Sequence, residues 1–161
     1  MRFQFQQQDW CNLDVLGKNR GPVRPFYCGF STAAEAREKK EQESDRYISL
    51  NGEWRFSYYT SPFLVPDEVV GDDYDDGKWD FIPVPGHWQL HGYDRPCYND
   101  AFALFPITDR PSIQADNPTG VYRRELRIDK KEGKEYLLRF DGVESAYHVW
   151  VNGEFAGYSQ G

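Results

Sequence analysis

Residues 147–158 decide the fold class, and they read YHVWVNGEFAGY. Runs of β-branched and aromatic residues flank the pair Asn152-Gly153, and such residues favour strands. A type I′ turn needs a positive φ at both of its central residues, which Asn and Gly tolerate better than other residues do. This stretch therefore predicts a β-hairpin that turns at Asn152-Gly153.

Further strand patterns lie on the N-terminal side of this hairpin. They occupy residues 54–59, 81–85, 102–107, 121–128 and 136–140. The total is about seven candidate strands, where a complete jelly roll has about eight. Almost no helical pattern accompanies them, so we predict an all-β jelly-roll sandwich. Because the sequence stops at Gly161, directly after a strand, we expect the sandwich to be incomplete at its C-terminal end, with an unpaired edge on its last strand.

Residues 1–46 differ from the rest of the chain. Gly and Pro punctuate residues 1–30 without a periodic apolar pattern, which predicts an extended arm. In the next segment Thr32 and Glu35 match a capping box, and Glu35 and Lys39 form a favourable i,i+4 pair, so we predict a short, solvated helix. The predicted organisation is an arm over residues 1–46 and a β-sandwich over residues 47–161.

The composition excludes several classes of protein. The chain has 161 residues, of which 19 are Lys or Arg and 26 are Asp or Glu, and the net charge of −7 gives no sign of a nucleic-acid partner. The longest apolar run, residues 101–105, is far too short to span a bilayer, and the N-terminus lacks the apolar core of a signal peptide. The three cysteines form no C-x-x-C pair, which indicates a soluble, cytoplasmic protein with free thiols and no zinc site.

A search for catalytic groups finds little. His87 and His91 are four residues apart, but Gly86 and Gly92 argue against a helix that would turn both toward one metal ion. We expect all three histidines of the chain to be hydrogen-bonded structural residues. The acidic turn over residues 71–77 lacks the ligand spacing of a calcium loop, so its carboxylates should be solvated. We predict no catalytic residue and no metal ligand in this chain.

The loop over residues 84–100 is the most informative region. A loop of more than about 12 residues in a compact domain is usually functional. Asn99 and Asp100 lie at its end, where their side chains can accept hydrogen bonds from sugar hydroxyls. Trp88 and Tyr93 either pack beneath a bound sugar or anchor the loop to the sandwich, and the sequence leaves both alternatives open. The high aromatic content of 17% suits either role.

Motifs along most of the chain occur in an order that resembles family 2 glycoside hydrolases. In chain order they are DW at residues 9–10, LNGEWRF at 50–56, VPGHWQLHGYD at 84–94, NPTGVY at 117–122, FDGV at 140–143, VWVNG at 149–153 and GY at 157–158. The first of these resembles the start of long bacterial β-galactosidases. HGYD and NPTG together are specific to the β-galactosidase branch of that family.

The resemblance implies a galactose-binding-like jelly-roll domain at the N-terminus of a larger enzyme, which hydrolyses terminal β-D-galactosides such as lactose. In that family a retaining mechanism uses two Glu residues on a later (β/α)₈ barrel. Such a barrel needs about 200 to 250 residues, so this chain should be inactive alone. In the β-galactosidase branch one loop of this domain reads Tyr-Thr-Asn and reaches the rim of the active site. Its Asn position falls on Asp100 here and its Thr position on Asn99, so the resemblance implies that one of these two residues contacts the substrate.

The resemblance also implies the partners. They are a galactoside bound by the full enzyme, the rest of that enzyme, and further copies in a homo-oligomer, with no nucleic acid and no membrane. It implies no cofactor in this chain and leaves any Mg²⁺ requirement to the longer enzyme. Two alternatives from other classes stay open. One is a free-standing carbohydrate-binding module, which the aromatic content favours, and the other is a pure assembly module that acts through its arm.

Overall fold

The computed structural model describes residues 8–96 and 117–161, which hold one α-helix and six strands. The strands form two antiparallel sheets of three strands each. The hairpin sheet contains, in spatial order, β1 (Gly17–Lys18), β6 (Glu154–Gln160) and β5 (Ala146–Val151). The central sheet contains, in spatial order, β3 (Asp80–Val84), β2 (Gly52–Tyr59) and β4 (Thr119–Arg123). The predicted all-β sandwich is therefore confirmed.

The hairpin of β5 and β6 turns at Asn152-Gly153, as predicted. Asn152 has a φ of 52° and Gly153 a φ of 76°, and a type I′ turn requires positive values at both positions. Val151 pairs with Glu154 across the turn. The local turn chemistry thus sets the start of the hairpin register.

The arm takes part in the hairpin sheet, which the sequence did not indicate. Strand β1 pairs with β6, with Lys18 opposite Tyr158. The side-chain amide of Gln160 donates to the carbonyl oxygens of Asn12, at 3.0 Å, and Val15, at 2.7 Å. The expectation of an unpaired edge on the last strand is therefore wrong, because β6 lies in the middle of its sheet.

The core of the central sheet lies where β2 and β3 pair. Phe56 of β2 is 1% exposed, and Ile82 of β3 is fully buried. Strand β2 pairs with β3 on one side and with β4 on the other. Pro83 lies in β3, which is an edge strand among the described residues, and an edge is where a sheet tolerates proline. The central position of β2 makes Phe56 the side chain around which this sheet packs.

Two predicted strands differ in the structure. The strand predicted over residues 121–128 ends at Arg123, and the apolar residues 136–140 form no strand. Within those residues Leu137 is 71% exposed and Phe140 is 37% exposed. Neither residues 124–128 nor residues 136–140 belong to a sheet in the part of the chain that the structure describes, and a strand requires a paired backbone. The piece predicted over residues 102–107 lies outside the described residues.

The short helix of the arm forms as predicted, as α1 (Ala33–Glu38). The Thr32 hydroxyl accepts a hydrogen bond from the Glu35 N–H at 3.2 Å, and the Glu35 carboxylate accepts from Lys39 Nζ at 2.7 Å. The helix buries none of its side chains, so these local contacts hold it. Across residues 8–96 and 117–161, no helix is long and apolar enough to cross a membrane. The division at residue 46 stays a prediction.

Arg123 ties β4 to the acidic turn. Its Nε lies 3.0 Å from the Asp76 carboxylate, and its Nη atoms donate to the carbonyl oxygens of Val69 and of Gly71, the latter at 3.1 Å. Arg55 of β2 approaches the same carboxylate at 3.6 Å. Asp76 therefore lies between two guanidinium groups, and the expectation that all carboxylates of this turn are simply solvated is wrong.

We predict that Arg123→Lys destabilises the fold by about 1–3 kcal/mol, because an ammonium group cannot reproduce forked contacts to a carboxylate and two carbonyls. Urea-induced unfolding followed by circular dichroism measures the change. Arg127→Lys is the matched control, since Arg127 pairs with Asp129 while its own side chain is 93% exposed. Its free energy of unfolding should change by less than about 0.5 kcal/mol. Equal losses in both variants would contradict the role given to Arg123.

Candidate functional site

The predicted binding loop, residues 84–100, passes out of the described part of the chain after residue 96, and the description resumes at residue 117. We call residues 86–96 and 117–122, which lie on either side of the undescribed residues, the loop base. The predicted substrate contacts Asn99 and Asp100 lie outside the described residues. The described residues show how the loop base is fastened to the central sheet.

An aromatic cluster fastens the loop base to the central sheet. It consists of Phe56, Tyr58, Trp88, Tyr93 and Tyr122. The centroid of the Phe56 ring lies 4.8 Å from those of Tyr93 and Tyr122 and 5.9 Å from that of Trp88. Aromatic pairs at such distances add about 0.5–1.5 kcal/mol each beyond the burial of their area. Because Trp88 and Tyr93 belong to the first segment of the loop base and Tyr122 to the second, one buried ring contacts both segments.

Trp88 packs into the protein. Its ring lies 6.1 Å from that of Tyr58 as well as against Phe56, and its indole Nε1 is buried without a hydrogen-bond partner. A ring that stacks on a sugar has to offer one face to solvent. Of the two alternatives that the sequence leaves open, the contacts of Trp88 and Tyr93 favour anchoring of the loop.

Gly120 lies directly against two rings of the aromatic cluster. A Cβ atom at this position would lie 2.5 Å from the Trp88 ring and 2.7 Å from the Phe56 ring, which is closer than side chains tolerate. Glycine therefore lets β4 pass directly against both rings. Sequence reasoning missed this contact, although a glycine inside a strand pattern is a signal of close backbone approach.

A tight turn shapes the first half of the loop base. The 3₁₀ turn over Trp88–His91 ends at Gly92, whose φ of 90° favours glycine. The Tyr93 N–H then donates to the Trp88 carbonyl at 3.3 Å. His87 and His91 are exposed on this turn. In the described part of the chain, no group of three or more His, Cys, Asp or Glu side chains is placed to hold a metal ion.

Tyr93 adds a polar link to the edge strand β3. Its hydroxyl donates to the Asp80 carboxylate. This hydrogen bond raises the pKa of Tyr93 to about 12, and burial acts in the same direction. The hydroxyl is thus protonated and remains a donor throughout the physiological pH range. Sequence reasoning also missed Asp80, because a single Asp at the start of a strand has no distinctive pattern.

We predict that Gly120→Ala destabilises the fold by about 1–3 kcal/mol, because the added methyl group overlaps two packed rings. Urea unfolding and the near-UV circular dichroism of the aromatic side chains measure the effect. Gly142→Ala is the control, since nothing lies within 4 Å of a Cβ at that position. If Gly120→Ala is as stable as Gly142→Ala and keeps its near-UV spectrum, the rings do not pack against β4 as described.

The hydrogen bond to Asp80 makes the contribution of Tyr93 to stability depend on pH. The folded pKa lies above the ordinary tyrosine value of 10.0, so this contribution is complete below pH 10.0 and is lost as the pH rises toward about 12. We expect wild type to be more stable than Tyr93→Phe at about pH 8, and the difference to shrink by about pH 11. Urea unfolding at both pH values tests this, with Tyr27→Phe as control because Tyr27 is 66% exposed. A difference that does not change with pH argues against the hydrogen bond.

The family of the chain follows from comparison with known proteins. The family profile described as glycosyl hydrolases family 2, sugar binding domain, matches residues 47–161. A β-galactosidase of Vibrio cholerae serotype O1 is 40% identical over 156 residues, which cover 95% of this chain and 15% of that protein. A β-galactosidase of Psychromonas ingrahamii is 38% identical over 159 residues, which cover 97% of this chain and 15% of that protein. The chain thus spans 15% of the length of these two relatives. Because the profile match covers both the central sheet and the hairpin of the described structure, the chain belongs to family 2 of the glycosyl hydrolases and carries the jelly-roll fold of its sugar-binding domain.

Proposed function

We propose that this chain is the non-catalytic sugar-binding domain of a β-galactosidase, and that its loop over residues 84–100 contributes Asn99 and Asp100 to the rim of a galactoside site. The observation that carries the proposal is the family match over residues 47–161, together with two relatives that are both β-galactosidases. Hydrolysis of terminal β-D-galactosides, such as lactose, belongs to the longer enzyme. This chain supplies no catalytic residue to it.

The loop base supports this role. Phe56 holds aromatic side chains from both segments of the loop base, and Gly92 and Gly120 give the backbone the shape that this packing needs. A loop whose ends are ordered before the substrate arrives loses less conformational entropy on binding. In this proposal Asp100 accepts hydrogen bonds from galactosyl hydroxyls, and Asn99 is the alternative contact, since an amide both donates and accepts where a carboxylate only accepts.

The proposal includes assembly with the rest of the enzyme and into a homo-oligomer. Seven large apolar side chains between residues 126 and 143 are more than a third exposed: Leu126, Ile128, Tyr136, Leu137, Leu138, Phe140 and Val143. We assign these side chains to an interface with the rest of the enzyme, since a folded domain rarely exposes so many apolar residues along one short stretch of chain. The chain itself binds no cofactor in this proposal, and Mg²⁺, where the longer enzyme uses it, does not take part in what this domain does. A cytoplasmic location stays a prediction from the cysteine content.

A chimeric enzyme tests the proposal. In the Vibrio cholerae β-galactosidase, the matching N-terminal residues are replaced by this chain, and hydrolysis of a chromogenic β-galactoside is measured. We expect a kcat/KM within about tenfold of the parent, because the new domain restores the same rim. The isolated chain, as control, should not hydrolyse the substrate above the rate in buffer. A chimera with the size and circular dichroism of the parent but without hydrolysis would contradict the proposal.

The two candidate contacts are separated in the same chimera by Asp100→Ala and Asn99→Ala. We expect Asp100→Ala to raise KM by about tenfold or more, because a lost hydrogen bond to substrate costs about 1.5–3 kcal/mol when one partner is charged. A larger rise for Asn99→Ala would transfer the role to Asn99. If neither variant changes KM by more than about twofold, the loop makes no important substrate contact.

A further inference from the structure

We propose that Tyr93 and Asp80 form a positioning pair for the candidate binding loop, in which the hydrogen bond between them sets the direction in which the chain leaves the loop base toward Asn99 and Asp100. The inference rests on the proposed function, because it says how the substrate contacts of that function are aimed. Both residues of the pair act through Asn99 and Asp100 and not on the galactoside itself.

The pair is built on one row of residues across the central sheet. Asp80 of β3 and Tyr122 of β4 both lie directly opposite Phe56 of β2, and residues that are paired in this way project from the same face of a sheet. The Tyr93 ring packs edge-on against Phe56, with centroids 4.8 Å apart, and its hydroxyl donates to the Asp80 carboxylate. Tyr93 therefore spans two neighbouring residues of this row, of which Phe56 is buried and Asp80 is exposed.

The two kinds of contact that Tyr93 makes differ in what they fix. Packing against Phe56, and against Tyr58 at a centroid distance of 6.2 Å, removes the ring from water, but the burial of apolar surface is not directional. A hydrogen bond is directional, since it requires the hydroxyl to lie at a set distance and angle from its acceptor. The bond to Asp80 thus fixes the tilt of the ring, and with it the path of the backbone at Tyr93.

Tyr93 is the last described residue before Asn99 that is not exposed. Residues 94–96 are all exposed. Their backbone has limited freedom, because Asp94 has a φ of 57° and the proline at residue 96 restricts its own backbone and that of the residue before it. Asn99 follows Tyr93 by six positions, and six residues of extended chain span at most about 20 Å. A change in the path of the backbone at Tyr93 therefore displaces Asn99 and Asp100.

Asp80 can be changed without disturbing the core. It is exposed at the first position of β3, whereas Phe56 is 1% exposed and Gly120 lies directly against the Trp88 ring. Substitution of an exposed residue usually has little effect on the free energy of unfolding. A change at Asp80 therefore releases the hydroxyl of Tyr93 and leaves the central sheet folded, so that an effect on position can be separated from an effect on stability.

The same chimeric enzyme tests the pair, with the variants Asp80→Ala, Tyr93→Phe and Asp80→Asn. The first two remove the hydrogen bond, whereas asparagine keeps an acceptor oxygen. We expect Asp80→Ala and Tyr93→Phe to raise KM about threefold or more and to change kcat by less than about twofold, because misdirected contacts weaken the binding of substrate and transition state alike. Asp80→Asn should stay within about twofold of the unmodified chimera. Asp73→Ala is the control and should change neither constant, since Asp73 is exposed in the acidic turn.

A double-mutant cycle separates positioning from a general loss of structure. Asp80→Ala is combined with whichever of Asp100→Ala and Asn99→Ala raises KM by itself. Because the pair acts through that contact, Asp80→Ala should then raise KM by less than about 1.5-fold further, whereas a destabilised domain would multiply the two effects. Multiplied effects would overturn the proposal, and so would an unchanged KM in Asp80→Ala and Tyr93→Phe, or a loss in Asp80→Asn equal to that in Asp80→Ala.

Hydrogen exchange on the 161-residue chain tests the pair without catalysis. The N–H of Tyr93 donates to the Trp88 carbonyl at 3.3 Å, so its exchange rate reports how often this turn opens. We expect the protection of this amide to fall several-fold in Asp80→Ala and Tyr93→Phe and to stay constant in Asp73→Ala, because a turn that has lost its link to the sheet opens more often. Protection in β2 should stay constant in all three variants, since the central sheet remains folded.

The exchange result keeps failure of the pair distinct from failure of the proposed function. If the chimera is inactive, or if neither Asp100→Ala nor Asn99→Ala changes KM, the proposed substrate contact is wrong, and exchange alone decides whether Tyr93 and Asp80 hold the loop base. Unchanged protection in both Asp80→Ala and Tyr93→Phe rules the pair out, whatever the kinetics of the chimera.

Discussion

Phe56 and Gly120 lie in neighbouring strands, and the absence of a side chain at Gly120 lets Trp88 close over both. Phe56 is 1% exposed, so it excludes water from the point where the two segments of the loop base meet. If a Cβ atom stood at residue 120, the Trp88 ring would have to move away. The turn over Trp88–His91 would then lose the surface on which it rests. The packing of the loop base thus depends on the missing side chain of Gly120 in the strand below it.

The two sheets of the sandwich are held by different kinds of interaction. In the central sheet, uncharged rings supply most of the contacts, and Arg123 connects the sheet to the acidic turn. In the hairpin sheet, the outer strand β1 has only two residues and relies on the polar contacts of Asp9 and Gln160. Rings also pack within the hairpin sheet, where Trp150 contacts Phe155 and His148 contacts Tyr158. The polar contacts therefore matter most for the attachment of β1.

The features that depend on neighbouring residues could be predicted from the sequence. The turn at Asn152-Gly153 requires only positive φ angles at two adjacent residues, and it forms as expected. The start of the helix at Thr32 requires only a contact between residues three apart, and it also forms as expected. The pattern over residues 136–140 indicated a strand. Apolar character shows which side chains tend to be buried, but it does not show whether another strand is available to pair with the backbone. Contacts between residues that are far apart in the chain produce no recognisable pattern in the sequence. Asp9 and His148, which are 139 residues apart, are one such pair.

In the candidate site, too, the sequence indicated which residues matter but not the contacts that they make with distant residues. The type of side chain and the length of the loop singled out Asn99 and Asp100 together with Trp88 and Tyr93, and the sequence could not separate recognition from anchoring for the two aromatic residues. That separation needs the distance to Phe56, a residue some thirty positions earlier in the chain. His148, expected to be a hydrogen-bonded structural residue, is indeed hydrogen-bonded, but its partner could not be named.

The two supports of the domain also differ in chemistry. The loop base is held by ring contacts to Phe56 and by the hydrogen bond from the Tyr93 hydroxyl to the Asp80 carboxylate. The arm is held by the Asp9 carboxylate, which accepts from Lys18 and contacts His148, and by the side-chain amide of Gln160. The loop base can keep its geometry whether or not the arm is attached, since the contacts that hold it run through β2, β3 and β4 and not through β1.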